Sequence, residues 1–150
     1  MEIALATSED VTELAQLLWR HAAQHEQESQ SVDSFAVDLG GWWTRDGRAH
    51  HAFLARSAES EAVGMAWLAL VPRVPRPGTV TRYSADVQSV FVVPRERGKG
   101  VGSALITAAT SHALGLGAGR ITVQSGRKAV PLYERLGFAS SPQLLQAPAE

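Results

Sequence analysis

Cysteine is absent from the 150 residues. The chain therefore has no disulfide, no thiolate metal ligand and no cysteine nucleophile. Long apolar runs are absent too, so no segment approaches the length of a membrane span. Glu2, Glu9, Asp10 and Glu13 fall where the apolar core of a signal peptide would stand, so a signal peptide is not expected. These absences point to a cytoplasmic protein. Charge is scarce as well, at 19% of residues with a net charge of -1, and it is unevenly placed. Up to Asp46 the acids are Glu2, Glu9, Asp10, Glu13, Glu26, Glu28, Asp33, Asp38 and Asp46, against only Arg20 and Arg45. From Arg97 to Tyr133 there is no acid, while Arg97, Lys99, Arg120, Arg127 and Lys128 are basic. An acidic front half supplies no basic, aromatic surface for nucleic acid. Neither nucleic acid nor a membrane is an expected partner.

The length is that of one domain, and the sequence shows no repeat, low-complexity tract or linker, so residues 1–150 read as a single unit. Ile3 to Ala6 reads as a short strand. Thr7 or Ser8 caps a helix with Val11, Leu14, Leu17, Leu18 and His21 at helical spacing. Gln24 to Gln30 is polar and reads as a loop. Ser31 caps a second helix that ends near Asp46-Gly47. His51–Arg56 and Val63–Val71 read as strands. Pro72–Ala85, with Pro72, Pro75 and Pro77, reads as a long loop. Asp86–Val93 is a strand, and a helix follows from about Gly100. Arg120–Gln124 is a strand, Lys128–Leu136 a short helix, and Leu144-Leu145 a last short strand. The order is that of a mixed α/β domain.

Most of the chemistry lies in Val90-Phe91-Val92-Val93-Pro94-Arg95-Glu96-Arg97-Gly98-Lys99-Gly100-Val101-Gly102-Ser103. A buried strand stops at a proline, a basic loop of alternating glycines follows, and a helix opens. Free N–H groups and the positive end of the helix dipole make that point an anion site. The glycines remove side chains that would hold a phosphate away from the amides. The spacing is not that of a P-loop, G-x-x-x-x-G-K-[ST]. A dinucleotide fingerprint requires an acid about twenty residues on, and none occurs between Glu96 and Glu134. Metal ligation is not expected. His21 and His25 have i, i+4 spacing and His50-His51 are adjacent, but the zinc-binding H-E-x-x-H pattern is missing.

Arg97-Gly98-Lys99-Gly100-Val101-Gly102, preceded by Val92-Val93-Pro94, resembles the R-x-x-G-x-G coenzyme A loop of the GNAT N-acetyltransferases. Ala129-Val130-Pro131-Leu132-Tyr133-Glu134-Arg135-Leu136-Gly137-Phe138 resembles that family's A-x-x-L-Y-x-x-x-G-F motif. The resemblance covers roughly residues 86 to 138. It implies a mostly antiparallel sheet, splayed after the Asp86–Val93 strand, with helices on both faces. It also implies acetyl-CoA as co-substrate, no metal, and acetyl transfer to an amine by direct attack. The alternative is a catalytically silent acyl-CoA-binding domain on the same fold.

By position, the resemblance gives the pyrophosphate to the loop from Arg97 through Gly98, Lys99, Gly100, Val101, Gly102 and Ser103. It gives the pantetheine arm to Val90, Phe91 and Val92, and the thioester carbonyl to the Val92 amide. Tyr133 becomes the acid that protonates the departing thiolate. Many relatives carry an asparagine where this chain has Gly126, and Ser125 is the substitute. Arg127 or Lys128 is placed to meet a coenzyme phosphate. Asp86 is the candidate base, with Glu26, Glu28 or a chain of waters as alternatives. The acceptor is expected to be a small amine, cationic rather than acidic. Of Trp42 and Trp43, one faces the core and the other walls the acceptor pocket or a subunit interface, which leaves a homodimer open.

Overall fold

Strand β3 (Ala62–Pro72) lies at the centre of the sheet. Every residue from Val63 to Ala69 is buried, because both faces of the strand are covered. A strand in that position needs a continuous apolar run rather than alternation. The computed structural model describes residues 1–148. Its other strands are β1 (Glu2–Leu5), β2 (His50–Arg56), β4 (Tyr83–Val92) and β5 (Ala118–Val123), and the sheet order is β1-β2-β3-β4-β5. The first four pair antiparallel, while β4 and β5 run parallel.

Helices α1 (Val11–His21), α2 (Gln24–Ser29) and α3 (Val32–Arg45) precede β2, α4 (Val101–Gly115) joins β4 to β5, and α5 (Val130–Arg135) follows β5. The two faces of β3 divide these helices. Gly64 faces α4 so closely that an added Cβ would meet Leu105 at 3.0 Å and Val101 at 3.3 Å. Trp67 faces the other way, against Trp42 and Trp43 of α3, with ring centroids 6.1 and 5.1 Å away. Leu14, Ala15 and Leu17 of α1 are buried in the same core. Asp10 and Glu13 tie the start of α1 to β2 through Arg56, at 3.0 and 2.6 Å. The expected splayed, mostly antiparallel sheet with helices on both faces is what the chain forms.

Four expectations need correction. The Gln24–Gln30 stretch is helical as α2, not a loop. Its polar side chains supply the bonds: Glu26 accepts from the Ala23 N–H at 3.0 Å, and Gln24 donates to Glu28 at 3.1 Å. The Pro72–Ala85 loop is shorter than expected, because pairing continues to Pro72 opposite Tyr83. The Arg73 N–H donates to the Arg82 carbonyl, and Pro77-Gly78 forms a tight turn bonded between Arg76 and Thr79. Gly78 has φ +84, the value a type II turn demands. Leu144 and Leu145 form no strand. They follow Pro142, pair with no strand among the described residues, and are 60% and 87% exposed. Trp42 and Trp43 both reach the sheet, each half-buried, by straddling Trp67.

His51 on β2 and His112 on α4 share a ring-nitrogen hydrogen bond of 3.0 Å. Burial, and then the charges His112 and His50 would carry, lower the His51 pKa from 6.5. The unfolded chain thus takes up this proton first as pH falls. Stability present above about pH 6.5 is lost as pH drops through the lower folded value. The urea midpoint should fall over that window, and His51→Gln should flatten the slope. An unchanged slope would show that His51 is not the titrating group.

Candidate active site

Strands β4 and β5 stay paired only as far as Val87 and Val123. Beyond that point β4 continues to Val92 with no strand paired to it on that edge among the described residues. The Val93 N–H donates to the Val63 carbonyl at 2.9 Å. N–H groups alternate in direction along a strand, so those of Phe91 and Val93 point to β3. Those of Val90 and Val92 point out along the free edge. The outward carbonyl of Val92 accepts from Arg97 Nε at 2.9 Å. Arg97 also lays its guanidinium 5.6 Å from the centre of the Phe91 ring. Its side chain thereby folds the loop back on the strand end.

The loop then delivers the start of α4. Gly98 and Gly100 have φ +75 and +84, which admit glycine with little strain. An added Cβ at either would meet nothing within 4 Å, so the space beyond these amides is open. Among the described residues, none of the N–H groups from Gly98 to Ser103 donates to another part of the chain. These are the orphan donors of a helix start. The close contact of α4 with Gly64 fixes that start against the sheet.

A cleft of about 770 Å³ follows the free edge of β4. Val90, Phe91 and Val92 form one wall, and Arg97, Gly98 and Gly100 to Ser103 form its end. Lys128, Tyr133 and Arg135 also line it. Tyr133 is held by the way its helix ends. The Phe138 N–H donates to the Tyr133 carbonyl at 3.0 Å, and the Gly137 N–H to the Glu134 carbonyl at 3.1 Å. This is a Schellman ending with Gly137 at φ +95. It turns Phe138 back onto the Tyr133 ring, edge to face at 5.4 Å. Tyr133 is 7% exposed, and burial raises its pKa above the ordinary 10. Its hydroxyl stays protonated at neutral pH and has no protein partner among the described residues.

The remaining expected residues are placed elsewhere. Lys99 pairs with Glu96 at 3.4 Å and does not line the cleft. Ser125 donates to the Gly126 carbonyl at 2.8 Å and lines a second cavity of about 490 Å³ on the other side of Tyr133. Asp86 accepts from Thr122 Oγ1 at 2.8 Å and lines neither cavity. Glu26 and Glu28 spend their carboxylates inside α2. His21 and Arg135 line the cleft without having been expected there. The signal for His21 was present. It ends the apolar stripe Leu14, Leu17, Leu18, so it shares their direction toward the sheet. Among the described residues no cluster of three or more His, Cys, Asp or Glu is placed to hold a metal. No helix among them is long and apolar enough to cross a membrane.

Comparison with known proteins places this geometry. The model of the acetyltransferase (GNAT) family matches residues 9–138. A glucosamine 6-phosphate N-acetyltransferase of Trypanosoma brucei brucei is 36% identical over 76 residues, 51% of this chain and 50% of that protein. The match thus spans about half the length of this curated relative. An acetyltransferase structure from Trypanosoma brucei superposes with a TM-score of 0.75 at 23% identity, over 98% of both chains. A ribosomal-protein-alanine N-acetyltransferase from Brucella melitensis biovar Abortus 2308 gives 0.72 at 26% identity, over 98% of this chain and 100% of that one. The family match covers most of the chain, including the free β4 edge, the glycine loop and the Tyr133 helix: the chain belongs to the GNAT acetyltransferase family.

Proposed function

We propose that this protein moves an acetyl group from acetyl-CoA to the amine of a small molecule by direct attack in a ternary complex. The observation that carries the reading is one cleft holding three things. These are the outward amides of Val90 and Val92, the unpartnered amides of Gly98 and of Gly100 to Ser103, and the protonated hydroxyl of Tyr133. The residues fit a coenzyme A thioester, because the space that side chains at Gly98 and Gly100 would fill is open in front of the donors.

The amides of the loop and first helical turn bind the pyrophosphate, aided by the dipole of α4. Lys128 and Arg135, which line the same cleft, supply fixed positive charge. The outward edge of β4 takes the pantetheine amides as an added strand would be taken. Arg97 already occupies the Val92 carbonyl, so the Val92 N–H is left to polarise the thioester carbonyl. Acetyl-CoA supplies the acyl group already activated as a thioester. Tyr133 holds its proton until sulfur needs it. No covalent acyl-enzyme is part of this reading, since no activated nucleophile lines the cleft among the described residues.

The acceptor is an amine-bearing small molecule, in keeping with the sugar amine named for the trypanosomal relative. A panel of amines with acetyl-CoA and detection of released thiol tests the reading. At least one amine should turn over. Coenzyme A binding with no turnover across the panel would favour the silent alternative.

Gly100→Val should lose about 1–3 kcal/mol of stability to backbone strain. It should also abolish stabilisation by coenzyme A, which is worth about 2.7 kcal/mol at a hundredfold excess over Kd. Gly78→Val is the control, because Gly78 has the same φ of 84 in the remote β3–β4 hairpin. It should show similar strain and keep the coenzyme effect. Equal coenzyme effects in both variants would remove the loop from the site.

Tyr133→Phe should lower kcat by roughly 10²- to 10⁴-fold with acetyl-CoA affinity nearly intact, as expected for an acid acting late in the reaction. Because burial raises the Tyr133 pKa, the basic limb of kcat in the parent should lie above pH 10. A limb well below that value would assign the acid to another group.

A further inference from the structure

The acceptor nitrogen must lose protons, and the residue expected to take them, Asp86, is not on the cleft wall. The titratable groups that do line the cleft are His21, Glu96, Arg97, Lys128, Tyr133 and Arg135. Arginine and lysine side chains carry their protons at neutral pH and accept none. Tyr133 is kept protonated by burial. Glu96 lies in the loop at the phosphate end and faces Lys99 at 3.4 Å. That leaves one group able to be neutral and accept a proton near the reacting stretch of β4.

His21 is the last residue of α1. Its ring centroid lies 5.2 Å from that of Phe91. Phe91 stands between Val90 and Val92, whose amides border the free edge. The imidazole therefore sits beside the open stretch of β4 and lines the same cleft as Tyr133. The ring is exposed to the cleft, and the helix that carries it is firmly placed. Leu14, Ala15 and Leu17 bury the helix, Arg56 holds its start, and the Ala22 N–H closes its end on the Leu18 and Trp19 carbonyls. The charged groups that share the cleft with His21 are Arg97, which lies over the same Phe91 ring, and Glu96, Lys128 and Arg135.

We infer that His21 is the general base of the transfer, on the reading of the cleft given above. Neutral His21 takes a proton from the acceptor ammonium, freeing the nitrogen lone pair. That pair forms the C–N bond to the carbonyl carbon, and the C–S bond breaks with its electrons going to sulfur. The Tyr133 hydroxyl gives its proton to sulfur. The second proton leaving nitrogen restores Tyr133, and His21 returns its own to solvent. The sum is an acetamide, a free thiol and one released proton.

The test is His21→Gln, assayed by thiol release across pH with two acceptors. One is an alkylamine that is charged at neutral pH, and the other an arylamine that is already neutral there. Coenzyme A thermal shift is measured on the same variant. The expected result is a loss in kcat of roughly 10²- to 10⁴-fold for the alkylamine at neutral pH. That loss should shrink as pH rises and solvent supplies free amine, and it should be much smaller for the arylamine. The coenzyme shift should stay that of the parent, and added imidazole should restore part of the rate to His21→Ala. A loss equal for both acceptors at every pH would overturn the assignment, as would a full alkylamine rate or a vanished coenzyme shift. If the parent itself shows no coenzyme shift, the reading of the cleft fails, and the role of His21 fails with it.

Discussion

The parting of β4 from β5 after Val87 and Val123 is the constraint on which the rest depends. A strand edge that stops pairing inside a fold leaves N–H and C=O groups without partners, and such groups need them. Here the chain partly answers its own need. Arg97 takes the Val92 carbonyl, while the outward donors of Val90 and Val92 remain for a ligand. The residues at the start of α4 line the same cleft past the strand end. A long ligand with amides at one end and phosphates at the other matches that cleft.

Everything around the gap holds its two sides in place. On one side, Gly64 allows α4 to approach β3 to within ordinary side-chain contact, which sets where the amide cradle points. On the other, the Schellman ending of α5 fixes the Tyr133 ring through Phe138. The spacing from Tyr133 to Gly137-Phe138 is thus a backbone requirement. The donor pair that closes the helix demands positive φ at one position and an apolar side chain at the next. The same few residues build the wall and aim the hydroxyl.

Much of this was legible in the sequence, because local rules dominated where it was read correctly. The apolar run of β3, the Ser31 cap of α3, the proline stop after Val93 and the glycines at positive φ are all short-range signals. The structure departs from the expected elements, and adds contacts to expected residues, where long-range or polar effects decide. Residues 24–29 lack an apolar stripe, and their helix rests on side-chain bonds to neighbours and to Trp19. The proline-rich hairpin hid its pairing because Pro72 and Pro77 sit at a strand end and a turn, where proline is tolerated. Leu144 and Leu145 had strand composition but no partner strand. Asp86 was placed by its interval on β4 alone. Its engagement with Thr122 belongs to the sheet register and is not visible in one segment. His21 was the converse case, with a direction written in its stripe and a destination set by the tertiary fold.

The central claim is that the free β4 edge and the start of α4 bind one ligand through backbone donors. Amide hydrogen exchange with and without coenzyme A tests it most directly. The account predicts added protection at Val90, Val92 and the amides from Gly98 to Ser103, with Phe91 and Val93 unchanged because β3 already holds them. Protection confined to the loop, or spread evenly over Val90 to Val93, would contradict it.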